Sequence, residues 1–343
     1  MNLNDRKELR SQAKEKLESA QDAARIAFVY AAVIVGASLA VNLIRMLLTH
    51  QISQYGGLSN MGLRSILSTV QTMLPIILNF LLMCLGLGFT GTMLRISRGQ
   101  YASLNSLKIG FARFWVLLRA VLLQGGLYLL AAVAAYMISM QIFFLTPLAR
   151  GLVAVVEPAM QSTGGDILKV LENPAVLDQL ITSMIPLYIL MGVLFLAVAA
   201  PIYYRYRMVN YLILDEPRMG ALLAMHTSRM LMRGNCMKYF KLDVSMWWYY
   251  AASILSLFIC YGATILMLLG VEFSMSPIMI SLIFFSVYLA VTFLITAFLQ
   301  PHVEVVHALA YETLKPRPQP QGGVVLGNIF DLAREQNDQQ GSL

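Results

Sequence analysis

The residues best suited to chemistry lie near the end of the last apolar run, where His302, Glu304 and His307 fall within six positions. Imidazole nitrogens and carboxylate oxygens are common metal ligands, and Glu304, His307 and Tyr311 would share one face of a helix. A zinc site, however, needs three or four ligands that converge. Because this stretch runs into a charged tail, we expect an interfacial segment whose polar groups are satisfied by water, and we predict no metal and no cofactor.

Three more ionisable positions stand beside apolar runs. Asp243 comes just before the fifth run, Arg119 lies near the start of the third, and Asp215 is followed by Glu216 between the fourth and fifth. An ionisable group at membrane depth suggests function, whereas at the interface it commonly caps a helix or forms an ion pair. We favour the cap or ion pair for Asp243. Arg119 is expected to pair with Asp243 or with the Asp215 and Glu216 carboxylates, and the sequence leaves that choice open.

No arrangement of residues in the sequence predicts catalysis. It has no phosphate-binding glycine loop, no nucleophile elbow and no helix with two histidines around a glutamate. We therefore predict that the protein is not an enzyme and that no residue is catalytic, cofactor-binding or metal-binding. The polar groups predicted to have a functional or structural role are Arg119, Asp215, Asp243, Glu304 and His307.

The elements that must position these residues are long apolar helices. The chain is 58% hydrophobic and 13% charged, with a mean hydropathy of +0.67, whereas soluble domains carry about 25% charged residues. Six runs of 19 to 31 residues contain no charge, and about 20 residues cross a hydrocarbon core. Because these runs do not alternate with period two, helices rather than barrel strands satisfy their backbone in lipid. We predict an all-α, polytopic six-helix transmembrane bundle with interfacial amphipathic helices. The spans are placed near residues 26–48, 69–94, 114–142, 183–206, 244–269 and 276–300.

The remaining sequence divides the chain into three parts. Residues 1–23 carry Lys and Glu at helical spacing and are expected to form a cytoplasmic amphipathic helix at the membrane surface. Residues 24–314 form the six-span membrane domain. Residues 315–343 are rich in Pro, Gln and Gly and predict a flexible cytoplasmic tail.

Two connections between spans are predicted to contain helices. One helix runs from Pro217 to Arg233, because Asp215 can cap its start and Gly234 can stop it. Apolar residues on both sides of Pro174 predict two short helices between the third and fourth spans. Small residues also predict two faces for close helix packing. These faces are Ala32, Gly36 and Ala40, and Gly86, Gly88 and Gly91.

The distribution of basic residues predicts the orientation. Of the 25 lysines and arginines, 20 lie in the N-terminal segment, the second and fourth connections and the tail, which places both termini in the cytoplasm. Because these cations are spread over four segments, we expect contact with anionic lipid headgroups and no nucleic-acid partner. Another membrane protein or a second copy of the chain is the further partner considered.

Two stretches resemble the motifs of a known bacterial family. Residues 214–217 read Leu-Asp-Glu-Pro and residues 234–235 read Gly-Asn, while Pro301 is followed by Ala-Tyr-Glu at 310–312. These motifs are similar to those of the bacterial integral membrane family known as domain of unknown function 975. The resemblance implies a six-helix protein of the bacterial cytoplasmic membrane, and it implies no activity.

The chain departs from the family pattern at two places. His302 stands where an aromatic residue is expected after the proline, and the pair Trp247 and Trp248 is displaced from the family's single tryptophan position. Both departures put local packing in doubt rather than the fold.

The sequence leaves two functions open. The first is a non-enzymatic scaffold, regulator or accessory of another membrane system, with contact surfaces on the Pro217 to Arg233 helix and the tail. The second is a transporter or exporter of a small apolar or lipid-like solute. No charged residue lies at the centre of a predicted span, which argues against ion-coupled transport. We favour the first.

Overall fold

Residues 5–54, 61–162, 174–268 and 276–315 are described by the structure, a computed structural model, and within these ranges it is helical with no strand. A π-helical segment, Ile295–Leu299, joins α12 to α13, and short 3-10 segments lie at Leu104–Lys108 and Pro147–Ala149. The helices are α1 (Arg6–Ser19), α2 (Ala23–Gln54), α3 (Met61–Ser97), α4 (Ile109–Ala112), α5 (Phe114–Leu145), α6 (Arg150–Ser162), α7 (Pro174–Tyr206), α8 (Val209–Asp215), α9 (Ala221–Met232), α10 (Cys236–Ser245), α11 (Trp247–Leu268), α12 (Pro277–Leu294) and α13 (Gln300–Leu314).

Six of the described segments are long and apolar enough to cross a membrane, which confirms the predicted number and class. The last of them continues from α12 through the π-helical segment to Leu314, well beyond the predicted end at residue 300. Pro301 does not end it, because proline is tolerated in the first turn of a helix. The six segments are Ala23–Ile52, Gly62–Ser97, Phe114–Leu145, Val176–Asp215, Trp247–Leu266 and Met279–Leu314.

The hydrophobic core lies at one end of the bundle. Its main cluster joins α1, the start of α2, the end of α3, and helices α8, α9, α10 and α13. We call this region the packed end. At the opposite end a small cluster contains Phe143, Ala149 and Leu187. Along the six long segments only 11 to 22% of the most apolar window is buried, so most of their apolar surface faces outward.

The N-terminal helix is part of the packed end. α1 packs on α13, and its Leu9 and Ala13 side chains are fully buried. The Arg10 guanidinium donates to the Ser245 carbonyl at 3.1 Å and so ties α1 to the end of α10. The predicted N-terminal helix is therefore present, with one face buried on the protein itself.

Two glycines allow the chain to cross itself at the packed end. A Cβ on Gly88 would lie 1.9 Å from the Leu107 carbonyl oxygen, and one on Gly110 would lie 1.8 Å from the Cys84 carbonyl oxygen. Only glycine permits such an approach of backbone to backbone. The prediction of close packing around Gly88 is thus confirmed.

The other predicted small-residue face does not pack within the chain. Ala32, Gly36 and Ala40 are all exposed on α2, and a Cβ on Gly36 would meet no atom within 4 Å. As a statement about packing inside this chain, that prediction is wrong. The buried residues Ala31 and Val41 lie at other positions along this stretch of α2, so the small residues point outward.

The helix predicted from Pro217 to Arg233 starts later than expected. It begins at Ala221, with Gly220 at its N-cap, and Asp215 instead ends α8. Asp215 does not cap because basic groups and a tyrosine hydroxyl hold its carboxylate. The predicted stop is confirmed, since Gly234 turns the chain at φ +77°. A further helix, α10, lies before the fifth long segment and was not predicted.

The prediction of two short helices around Pro174 is wrong on the C-terminal side. Pro174 is the first residue of α7, which continues to Tyr206 without a break, because proline favours the first turn of a helix. On the N-terminal side the structure has α6. The predicted flexible tail falls almost wholly outside the described residues, as do residues 163–173 of this connection.

Candidate functional site

Four of the five polar residues predicted from sequence lie at the packed end, in three neighbouring groups. Asp243 belongs to the first group, Asp215 to the second and Glu304 to the third. Helices α3, α7, α8, α10 and α13 supply them.

The first group is a hydrogen-bonded chain centred on His307. Its Nε2 lies 2.8 Å from Asp243 Oδ1, and its Nδ1 lies 3.0 Å from Arg207 Nη2. The Tyr204 hydroxyl donates to the other Asp243 oxygen at 3.1 Å. The His307 and Asp243 side chains are only 1% and 7% exposed. His307 is therefore not satisfied by water, and that expectation is wrong.

The partners of His307 determine where its proton lies. A guanidinium only donates hydrogen bonds, so Nδ1 must accept from Arg207, and Nε2 must carry the proton that it donates to Asp243. The imidazole is consequently neutral and connects a cation to an anion. Such an arrangement holds a buried carboxylate in its charged form without placing a bare charge in the core.

Asp243 keeps its charge despite its burial. Burial by itself raises the pKa of this carboxyl, but the hydrogen bond from His307 and the nearby Arg207 guanidinium outweigh it, and the pKa lies below its ordinary value. Asp243 is thus held at the end of α10 by hydrogen bonds from His307 and Tyr204, with the Arg207 guanidinium on the far side of the imidazole. The predicted cap or interfacial ion pair is not what the structure shows here, because the carboxylate is buried.

The second group joins the two sequence motifs that carry the family resemblance. Asp215 Oδ1 lies 2.8 Å from Arg98 Nη1, and its Oδ2 accepts from the Tyr311 hydroxyl at 2.9 Å and from Lys315 Nζ at 2.5 Å. The Arg98 Nε donates in turn to Glu312 at 2.8 Å. These bonds fasten α3, α8 and the end of α13 together.

The third group surrounds Glu304 and opens into a cavity. One Glu304 oxygen accepts from the Tyr211 hydroxyl at 3.1 Å and from the Thr90 hydroxyl at 3.4 Å. The cavity of about 510 Å³ lies between α3, α5 and α13. About half of its lining residues carry polar side chains, among them Gln124, Asn210 and Gln300, and the rest are apolar or glycine. In the described part of the chain, no lysine or arginine forms an ion pair with Glu304.

One expectation about the site is not met. Arg119 is exposed on α5 and pairs with neither Asp243 nor Asp215 among the described contacts. The cations near these carboxylates are Arg98 directly after α3, Arg207 directly after α7 and Lys315 directly after α13. His302 packs near Trp248, with ring centroids 6.2 Å apart. Among the described residues there is no group of three metal-ligating side chains.

Sequence reasoning missed the cations that complete these groups. Arg207 lies 100 residues from His307, and Arg98 lies 214 residues from Glu312. No local spacing marks pairs so far apart, because side chains three or four positions apart are the only ones that a helix alone brings together. The clue available was that Asp215 and Tyr311 stand in two motifs of one family.

The fold and these groups define an all-α protein with six helices able to cross a membrane, fastened together at one end by buried polar contacts. The sequence model of the family described as Protein of unknown function (DUF975) matches residues 1–317. The chain belongs to this family, which confirms the resemblance seen in its motifs. No curated protein and no solved structure matches the chain.

Proposed function

We propose that the protein is a non-enzymatic integral membrane protein that scaffolds, regulates or accompanies another membrane protein. Its basic segments support a place in the bacterial cytoplasmic membrane with both termini in the cytoplasm. Labelling of a single cysteine placed at Lys241, in a background without native cysteines, tests this orientation. Reaction with an impermeant reagent added outside intact cells would contradict it.

The observation that carries the proposal is the outward small-residue face of α2. Ala32, Gly36 and Ala40 stand one turn apart, and all three are exposed. Lipid tails are as apolar as leucine, so apolar surface alone does not drive helices together in a membrane. Close contact between helix backbones does, and small residues four apart permit it. The packed end meanwhile provides a rigid base that holds α2 in place.

The partner best suited to this face is a membrane-spanning helix of another protein or of a second copy. Its backbone can approach Gly36 closely because no described atom lies within 4 Å of a Cβ built at that position. The exposed side chains Leu39 and Leu43, one turn apart, then pack along one side of the contact. The proposal therefore places the contact surface within the membrane, in addition to the α9 region.

Replacing Gly36 with leucine is expected to abolish the association and leave the fold intact. The leucine side chain would hold the two helix backbones apart, so the contacts along the whole small-residue face are lost together, and each contact of about 1 kcal/mol contributes several-fold in affinity. Crosslinking in cells, followed by purification and mass determination, measures the complex. Val33→Leu is the matched control, because it adds bulk on the same exposed face where a large side chain already stands. A complex that survives Gly36→Leu would contradict the proposed surface.

A second candidate function is a transporter or exporter of a small, lipid-like solute. The cavity between α3, α5 and α13 favours it, because Glu304 provides a polar end and Leu82, Met83 and Leu87 provide an apolar wall. Purified protein in liposomes separates the two candidates. Flux of a solute or fluorescent lipid that Glu304→Gln abolishes would support the transporter, and flux equal to that of empty liposomes would exclude it for the solutes used.

A further inference from the structure

A second concave surface at the packed end is strongly basic. This cleft has a volume of about 730 Å³ and is lined by Arg205 at the end of α7, by His226 and Arg229 on α9, and by Arg233 directly after α9. We call it the basic cleft. No aspartate or glutamate is among its lining residues within the described chain.

Among the described residues, the three guanidinium groups of the basic cleft have no anionic partner. In the described ranges none of them forms an ion pair with a carboxylate, and all three residues are exposed. Arginines on a surface usually diverge into water, which separates like charges. Here three of them border one cavity, so together they give the cavity a strongly positive electrostatic potential.

The backbone around the cleft is fixed. The fully buried Ser228 hydroxyl donates to the Arg205 carbonyl at 2.9 Å and accepts from the Met208 N–H at 3.2 Å. This bridge locks the end of α7 against α9 beside Arg229. After α9, Gly234 adopts φ +77° and turns the chain so that Arg233 stays at the cleft. The positions of the arginines are thus set by rigid elements.

We propose that the basic cleft binds a phosphate group. Guanidinium groups present paired N–H donors that match phosphate oxygens, and three of them with an imidazole suit a doubly charged or diester phosphate better than a single carboxylate. The C-terminal ends of α7 and α9 carry partial negative charge, which stabilises the nearby arginines. The guanidinium N–H groups that point away from these helix ends remain available to a ligand.

The anionic headgroup of a membrane lipid is the source of phosphate that the position of the cleft favours. Arg205 ends the fourth long apolar helix, at the level where a headgroup region would lie. Met230 lines the same cleft and is 45% exposed, and a flexible methionine side chain accommodates an acyl chain well. A soluble phosphate ester shares the headgroup chemistry, and the experiment below distinguishes the two.

The test uses the full chain in nanodiscs of phosphatidylcholine with and without phosphatidylglycerol and cardiolipin. Native mass spectrometry counts retained anionic lipids, and the thermal midpoint is followed with added inorganic phosphate in the neutral discs. The test variant replaces Arg205, Arg229 and Arg233 with glutamine. The charge-matched control replaces Lys108, Arg119 and Lys241, which are exposed and lie outside the cleft.

The test variant is expected to bind anionic lipid on the order of a hundredfold more weakly, since it loses three guanidinium contacts to one bound phosphate group, each contributing about fivefold. The control is expected to retain its lipids. A thermal shift with inorganic phosphate in neutral discs, lost in the test variant, would support the site and identify a soluble ligand. The proposal would be overturned if the unmodified protein, the test variant and the control retained the same amount of anionic lipid. It would also be overturned if the test variant and the control lost lipid equally.

Discussion

Replacing Asp243 with alanine is expected to lower the free energy of unfolding by about 3 to 5 kcal/mol, the usual cost of removing one member of a buried ion pair. The substitution removes the acceptor for both the His307 Nε2–H and the Tyr204 hydroxyl. Arg207 then faces a buried imidazole with no anion behind it. The thermal unfolding midpoint of the purified protein in one detergent measures the effect.

Two variants serve as controls for Asp243→Ala. Asp178 is exposed on α7, so Asp178→Ala is expected to change stability by less than about 0.5 kcal/mol. Asp243→Asn keeps an acceptor for His307 and is expected to lose less than the alanine variant. If Asp243→Ala unfolds at the same temperature as Asp178→Ala, the buried chain of bonds does not hold the packed end together.

The same residue gives an acid dependence with a defined sign. Because the folded-state pKa of Asp243 is lowered, its contribution to stability is full above the pKa of the unfolded chain. It is lost as the pH falls through the lowered folded value. The difference in stability between the protein and its Asp243→Asn variant should therefore shrink toward acid pH, and a difference that grows there would contradict the assignment.

Replacing Gly88 with alanine is expected to cost about 3 kcal/mol or more and to reduce the yield of folded protein. The new methyl carbon would stand 1.9 Å from the Leu107 carbonyl oxygen, where no flexible side chain can move aside. The 3-10 segment must shift as a whole, and it carries Gly110 and the Cys84 contact with it. Monodisperse yield and thermal midpoint report the damage.

Gly126→Ala is the matched control for Gly88→Ala. Both glycines lie inside long helices, but a Cβ on Gly126 would meet no atom within 4 Å. Alanine there is expected to be neutral or to stabilise the helix by about 0.5 to 1 kcal/mol. Equal behaviour of the two variants would show that α3 and the 3-10 segment do not approach as described.

The long apolar helices could be predicted from the sequence because their cause is local. A charge inside a span is costly, so the gaps between charges marked all six segments. The ends were harder. The last segment runs to Leu314 because Glu304 and His307 find partners on other helices, and a rule that stops a span at the first charge ends it too early.

The sequence indicated which polar residues at the packed end are important, but it did not show which residues they contact. Asp243, Asp215 and Glu304 were recognised by their type and position. Their partners were not, and Arg119 was offered in place of Arg207 and Arg98. A charge does not specify which distant charge it meets, because that depends on how α3, α7 and α13 cross.

The sequence by itself determined the class of this protein, the number of its long helices and the residues that could not sit in lipid. Those properties follow from hydropathy and from the cost of burying charge, and both depend only on the residues of the segment itself. Only the tertiary structure decided that His307 is a buried neutral link and that Gly88 faces a backbone while Gly36 faces outward. The reason is physical. The hydrogen-bond partners of a buried polar group, and the atoms beside a glycine, come from segments that are remote in sequence and meet only when the chain folds.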